Sequence, residues 1–178
     1  MINTIKQLKR NNQKTQQKFY KKFSMLLFRV AYRYVSNEQD AASIVNIGFF
    51  KIFQNIHRFT YTNEAMLVAW MKRIIVNEAL TVLRKKHEYT NIDEVDHEVL
   101  QNGYNTDNNL AAEDYYRMIQ NLPNNLRTVF NLYAIEGYSH NEIACKLGIE
   151  ESSSRVYLMR ARKSLQESLS TKPNYHEQ

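Results

Sequence analysis

Three arginines, Arg155, Arg160 and Arg162, follow the polar run Ser152-Ser153-Ser154 late in the chain. A guanidinium stays charged and presents its donors in a fixed fork, so it can bond a guanine edge at two points or clasp a phosphate. Upstream, Ser139 and Glu142 have the spacing of a capping box, in which each side chain satisfies a free backbone N–H at a helix start. Ile143, Ala144 and Leu147 give that helix a narrow apolar face, Gly148 permits a tight turn and Ile149 plugs it. In the next helix Ser154, Leu158, Ala161 and Leu165 recur at intervals of four, three and four, one inward stripe. Ser152, Ser153, Arg155, Val156, Met159, Arg160, Arg162 and Lys163 are left outward or lateral. A helix-turn-helix lays such a second helix in the DNA major groove, with Arg155 the best placed base reader and Arg160 and Arg162 on phosphates. An ordinary helical hairpin with a solvated basic face satisfies the same spacing, and both readings stay open on the pattern alone.

Other chemistries find less support. There is no glycine-rich phosphate loop, no metal-ligand spacing and no Ser/His/Asp or paired-acid signature, so the sequence argues against an enzyme and implies no cofactor or metal. His87 and His140 read as isolated surface histidines, and the single cysteine, Cys145, reads as a small buried hydrophobe.

The elements that must carry these residues are helical. Only 4 glycines and 2 prolines occur in 178 residues, and apolar residues recur at three and four rather than two. Phe19, Phe23, Leu27, Val30 and Tyr34 line a first long helix ending near Ser36-Asn37. Ala41, Ile44, Val45, Gly48, Ile52 and Phe53 line a second, and Leu67, Trp70, Ile74 and Leu80 a third running to about Arg84, with Trp70 read as core. Residues 12–87 therefore form one small bundle. Helical pattern resumes at Leu110, breaks at Pro123, and returns with Leu126, Val129, Phe130 and Tyr133 until Gly137, so 110–170 form a second domain, followed by a polar tail at 171–178. The expected fold class is all-α: two small helical domains joined by a flexible acidic linker at 88–109, with a helical turn near 94–100.

Charge is divided the same way. Residues 1–87 hold 16 Lys and Arg against 4 Asp and Glu, whereas 88–114 hold 8 acids and no Lys or Arg. A basic front half suits a polyanion, and an acidic block suits a solvated linker. No apolar run approaches a membrane span, and the start has no secretory pattern, so a cytoplasmic location is expected.

Taken together, LPNNLRTVFNLYAIEGYSHNEIACKLGIEESSSRVYLMRARKSL resembles region 4 of the extracytoplasmic-function (ECF) group of sigma-70-type initiation factors. Phe19 to Lys86, with DAASIVNIGFFKIF and FTYTNEAMLVAWMKRIIVNEALTVLRKK in order, resembles region 2, and the Ser-Ser-Ser-Arg spelling resembles Bacteroidetes versions. The resemblance implies core RNA polymerase as partner, through the beta-prime clamp helices and the beta flap, together with promoter DNA and an anti-sigma factor. It places core docking on Asp40, Ser43, Asn46, Phe49 and Lys51. It assigns the minus-10 element to Thr60, Tyr61, Thr62 and Asn63 and the helix after them, with Tyr61 as a stacking face, Asn77 near a base pocket, and Lys72, Arg73, Arg84, Lys85 and Lys86 on phosphate. The minus-35 element falls to the residues after Gly148.

The chain also departs from that pattern. Ser43 and Ile47 stand where acids are usual, Asn46 where glutamine is, and Glu150 where a Ser or Thr cap precedes the recognition helix. A stand-alone helix-turn-helix regulator on a duplex operator is the alternative function.

Overall fold

The computed structural model describes residues 1–89 and 110–170. The chain divides into two compact units, Met1–Ile92 and Asp93–Gln178. Most of the expected linker, its helical turn and the tail lie outside the described residues.

The first unit begins earlier than residue 12. Helix α1 (Ile2–Lys9) buries Ile5 and Leu8, a match to the three-residue spacing of one helical face. Asn11, at φ 55°, turns the chain, and the Asn12 side chain accepts from Thr15 N at 3.0 Å to start α2 (Gln13–Val35). The stripe Phe19, Phe23, Leu27, Val30 and Tyr34 is buried as its spacing requires. Ser36 closes α2 in the left-handed region, and Asn37 caps α3 (Glu38–Asn55) by accepting from Asp40 N. Glu38 and Asp40 sit in the first turn, where the helix dipole favours negative charge.

A short 3-10 turn (Ile56–Arg58) and a non-helical stretch lead to α4 (Glu64–Tyr89). Asn63 Oδ1 accepts from Met66 N at 2.9 Å at its start, and Lys22 of α2 holds Glu64 at 2.7 Å. The buried line of α4 is Leu67, Met71, Ile75, Val76, Ala79 and Leu80, which corrects the expected stripe. Trp70 and Ile74 are half-buried on its flank, because the line from Leu67 advances by fours through Met71 and Ile75. Trp70 instead stacks on Phe59 at 4.7 Å and 26°. Between α2 and α3 the rings of Phe19, Phe23, Phe49 and Phe53 pack at centroid distances of 4.7 to 6.5 Å, spacings favourable for aromatic pairs.

The second unit holds α5 (Leu110–Gln120), α6 (Asn124–Phe130), α7 (His140–Leu147) and α8 (Glu151–Ser170). Pro123 breaks the helical run as expected and stands just before α6, and α6 runs into a π-helical turn, Asn131–Ile135, that Gly137 ends at φ 78°. No strand occurs among the described residues.

Cys145 is exposed, not buried. The inner face of α7 is made by Ile143 and Ala144, and a side chain one residue on is turned by about 100°.

Candidate nucleic-acid and polymerase interfaces

The helix-turn-helix forms where the spacing places it. Glu142 N donates to Ser139 Oγ while Ser139 N donates to Glu142 Oε2 at 2.9 Å, so the capping box is closed on both sides. Gly148, at φ 67°, carries its N–H back to Ala144 O at 2.9 Å, and Ile149 N reaches the same oxygen at 3.2 Å. An L-residue is strained at that φ, so the turn requires glycine. Ser154, Leu158 and Ala161 are buried on α8; Leu165 is half-buried.

The opposite face of α8 stands open. Ser152, Arg155, Val156, Met159, Arg160, Arg162 and Lys163 are exposed, and Ser153 is half-buried. Met159, at 63% exposure, and Val156 offer apolar surface between the cations, suited to contact with a thymine methyl. Arg155 Nη2 lies 2.5 Å from Glu151 Oε1, one turn back. That pair holds the guanidinium beside the helix start, and as an exposed i,i+4 pair it is worth only ~0.3–0.5 kcal/mol, so little holds it there against a competing acceptor. Arg162 lies 5.7 Å over the ring of Tyr133. A cleft of about 400 Å³ is lined by His140, Arg155, Met159, Arg162 and Lys163, among others.

His140 is not the isolated surface histidine expected from sequence. Its Nδ1 is 2.9 Å from Ser154 Oγ, and its ring stacks on Tyr133 at 4.6 Å. Burial first, then Arg155 and Arg162, push its pKa below the ordinary value, with Glu151 opposing. Two features of the sequence point to this pairing: a histidine directly after the cap, and a hydroxyl in an otherwise apolar stripe.

In the first unit, Thr60, Thr62 and Asn63 are exposed and Tyr61 is half-buried. Arg73, Asn77 and Arg84 are exposed on α4 and fall within about 40° of one another at 100° per residue. Lys72 is half-buried and turned about 100° from Arg73, so it stands apart from that group. Lys85 is exposed; the Lys86 side chain lies outside what is described.

On α3 one docking assignment is corrected. Phe49 is 3% exposed and packs on Phe19, Tyr20 and Phe53, so it is a core residue. Phe50, at 61%, is the outward one, in a stripe with Ser43, Asn46 and Ile47 that is exposed throughout. Ala41, Ile44, Val45, Gly48 and Ile52 fix which of two adjacent phenylalanines points in, so the periodicity held the answer. Tyr20 Oη donates to Asn46 Oδ1 at 3.1 Å, and Asp40 is half-buried at the helix start. Lys51 pairs with Glu78 of α4, whose side chain is 9% exposed. Its ammonium thus compensates an acid inside the bundle, which the sequence reading missed.

Among the described residues no group of three or more His, Cys, Asp or Glu is placed to hold a metal ion, and no helix is long and apolar enough to cross a membrane.

Comparison with known proteins agrees with both units. The family description "Sigma-70 region 2" matches residues 19–88, and "Sigma-70, region 4" matches 112–165. The chain is 27% identical over 136 residues to RNA polymerase sigma factor SigV of Bacillus subtilis, covering 76% of this chain and 80% of that protein. It is 26% identical over 152 residues to ECF RNA polymerase sigma factor SigE of Mycolicibacterium smegmatis, covering 80% and 57%. In fold it is similar to the sigma factor RpoE crystallised with the anti-sigma factor NepR from Bartonella quintana, with a TM-score of 0.52 at 21% identity over 88% of this chain and 99% of that one. With both regions present in order, the chain belongs to the sigma-70 family of RNA polymerase sigma factors, in its ECF group.

Proposed function

We propose that the two units divide promoter recognition between them. The chain is a sigma factor, a non-enzymatic subunit that binds core RNA polymerase and directs it to promoters. In our reading, domain 12–87 docks on the beta-prime clamp helices and takes the opened minus-10 strand, and domain 110–170 reads the minus-35 duplex and touches the beta flap. Residues 88–109 link them, and 171–178 form a tail.

The observation that carries this reading is the pairing of two different open surfaces on one chain: a stripe on α3 that exposes Ile47 and Phe50 beside Ser43 and Asn46, and a basic face on α8 built on a closed helix-turn-helix. For docking we assign Asp40, Ser43, Asn46, Ile47 and Phe50, with Phe49 and Lys51 supporting the helix from inside the bundle. For the minus-10 strand we assign Thr60, Tyr61, Thr62, Asn63, Arg73, Asn77 and Arg84, with Lys72 at the margin. For the minus-35 duplex we assign Ser152, Ser153, Arg155, Val156, Met159, Arg160 and Arg162. Neither surface needs high affinity alone, because polymerase tethers both to one promoter.

An anti-sigma factor that covers the same faces is the further partner we propose, with action in the cytoplasm beside the polymerase. The Ser152-Ser153-Ser154-Arg155 spelling supports a Bacteroidetes-type member. Co-purification with core polymerase and promoter-dependent run-off transcription test the assignment. A chain that binds duplex DNA and never engages core would instead be a stand-alone regulator.

A further inference from the structure

We propose that His140 is a positioning residue for DNA reading: through its bond to Ser154 it seats α8 on α7 and so aims the side chains beside that joint. The proposal rests on the reading of α8 as the duplex-binding helix.

Ser154 is 0% exposed. A hydroxyl so buried needs a hydrogen-bond partner, and His140 Nδ1 is at 2.9 Å. Packing does not call for that hydroxyl, because the rest of the stripe, Leu158 and Ala161, is apolar. The imidazole is held on two further sides. Its main chain follows directly on the capping box of Ser139 and Glu142, and its ring stacks on Tyr133 at 4.6 Å. Tyr133 belongs to the π-helical turn and also lies under Arg162 of α8. One imidazole therefore ties α7, the π-turn and α8 together, beside Arg155.

The charge environment fits this role. Burial, Arg155 and Arg162 disfavour a charged imidazole, with Glu151 opposing, and either tautomer of the neutral ring can complete the bond to Ser154. A shift of the serine is passed directly to Arg155 and Val156, its neighbours on the same helix.

The test uses the full chain assembled with core polymerase, on a promoter mapped from transcription starts after overexpression and carrying a randomised upstream element. Ser154→Ala and His140→Phe, which keeps the stack on Tyr133, should each flatten the base preference of the selected pool by about tenfold, the scale of one buried hydrogen bond. The double variant should lose no more than either single. His140→Asn, whose amide offers polar groups near the Nδ1 position, should restore most of the preference, an effect that loss of packing alone does not give. Thermal unfolding of each chain is followed alongside; if His140→Phe fails to fold, Ser154→Ala and His140→Asn carry the test. Additive losses, unchanged preference in Ser154→Ala, or His140→Asn as impaired as His140→Phe would overturn the proposal. Arg155→Ala in the same pool separates the two levels. Flattening by that change with intact preference in the His140 and Ser154 variants defeats the joint alone, and intact preference throughout defeats the reading of α8 and the joint with it.

Discussion

Arg127 Nη1 donates to the carbonyl oxygen of Gln120 at 2.7 Å and reaches that of Leu122 at 3.3 Å. The first carbonyl ends α5, where a helix leaves acceptors without internal partners, and the second lies in the turn that follows. An arginine on α6 thus caps the preceding helix across Pro123, at 5% exposure. Burial pulls its pKa down to about 10, which still leaves it charged at neutral pH.

Arg127→Ala should destabilise the second unit by ~2–4 kcal/mol, the cost of leaving buried acceptors unpaired. Arg127→Lys should recover only part of this, since an ammonium lacks the second nitrogen, Nη2, that donates to Asn124 Oδ1. Denaturant unfolding of the full chain checks this; an unchanged midpoint would show that the carbonyls find other partners.

In the first unit, a Cβ built on Gly48 would overlap Ile75 Cδ1. Ile75 is fully buried and β-branched, so it has few rotamers into which to retreat. Gly48→Ala should cost ~1–3 kcal/mol through overpacking, and Gly48→Ala with Ile75→Val should regain part of it. A double-mutant cycle in thermal unfolding measures the coupling.

The adjacent phenylalanines of α3 should separate stability from docking. Phe49→Ala empties a core position and should cost ~3–5 kcal/mol. Phe50→Ala should leave stability within about 0.5 kcal/mol yet weaken association with core polymerase by about tenfold or more, as an exposed aromatic anchor would. Normal assembly by the Phe50 variant would move the docking face elsewhere.

Arg155→Ala should relax minus-35 preference by about tenfold or more without affecting core association. Arg155→Lys should not restore it, because one ammonium cannot make the two-point contact. Competition between promoter variants, at fixed salt, gives the ratio.

His140 gives the second unit a pH dependence of definite sign. Its folded-state pKa lies below the ordinary 6.5, so the unfolded chain takes up the proton first. The stabilisation is therefore complete above about pH 6.5 and declines as pH falls through and below that value. Glu151, Arg155, Arg162 and Lys163 share this neighbourhood and set the background. Unfolding midpoints from pH 8 to 5 should fall less steeply for His140→Asn than for the unaltered chain; parallel curves would remove the assignment.

Much of this molecule was legible in the residues. Helical period, the caps at Asn37 and Ser139, and the left-handed glycines at 137 and 148 act over four or five neighbouring positions, so the chain determined them locally. The helix-turn-helix and its outward face followed from spacing, and the presence of two family regions in order followed from resemblance. The helix before residue 12 was not legible, because Ile5 and Leu8 make only one short apolar pair, which carries little periodic signal.

Tertiary packing decided the rest. Neighbours along the chain did not reveal that Lys51 would meet a buried Glu78, since that pair joins two helices 27 residues apart in sequence. The same holds for Arg127 capping α5, for Trp70 leaving the core to stack on Phe59, and for Ser154 finding its partner in His140. The sequence by itself determined which surfaces are helical and which way most of them face, because those depend on local backbone geometry and periodic burial. Only the folded chain decided how the buried polar groups are satisfied, because each needs a partner that the crossing of two helices supplies.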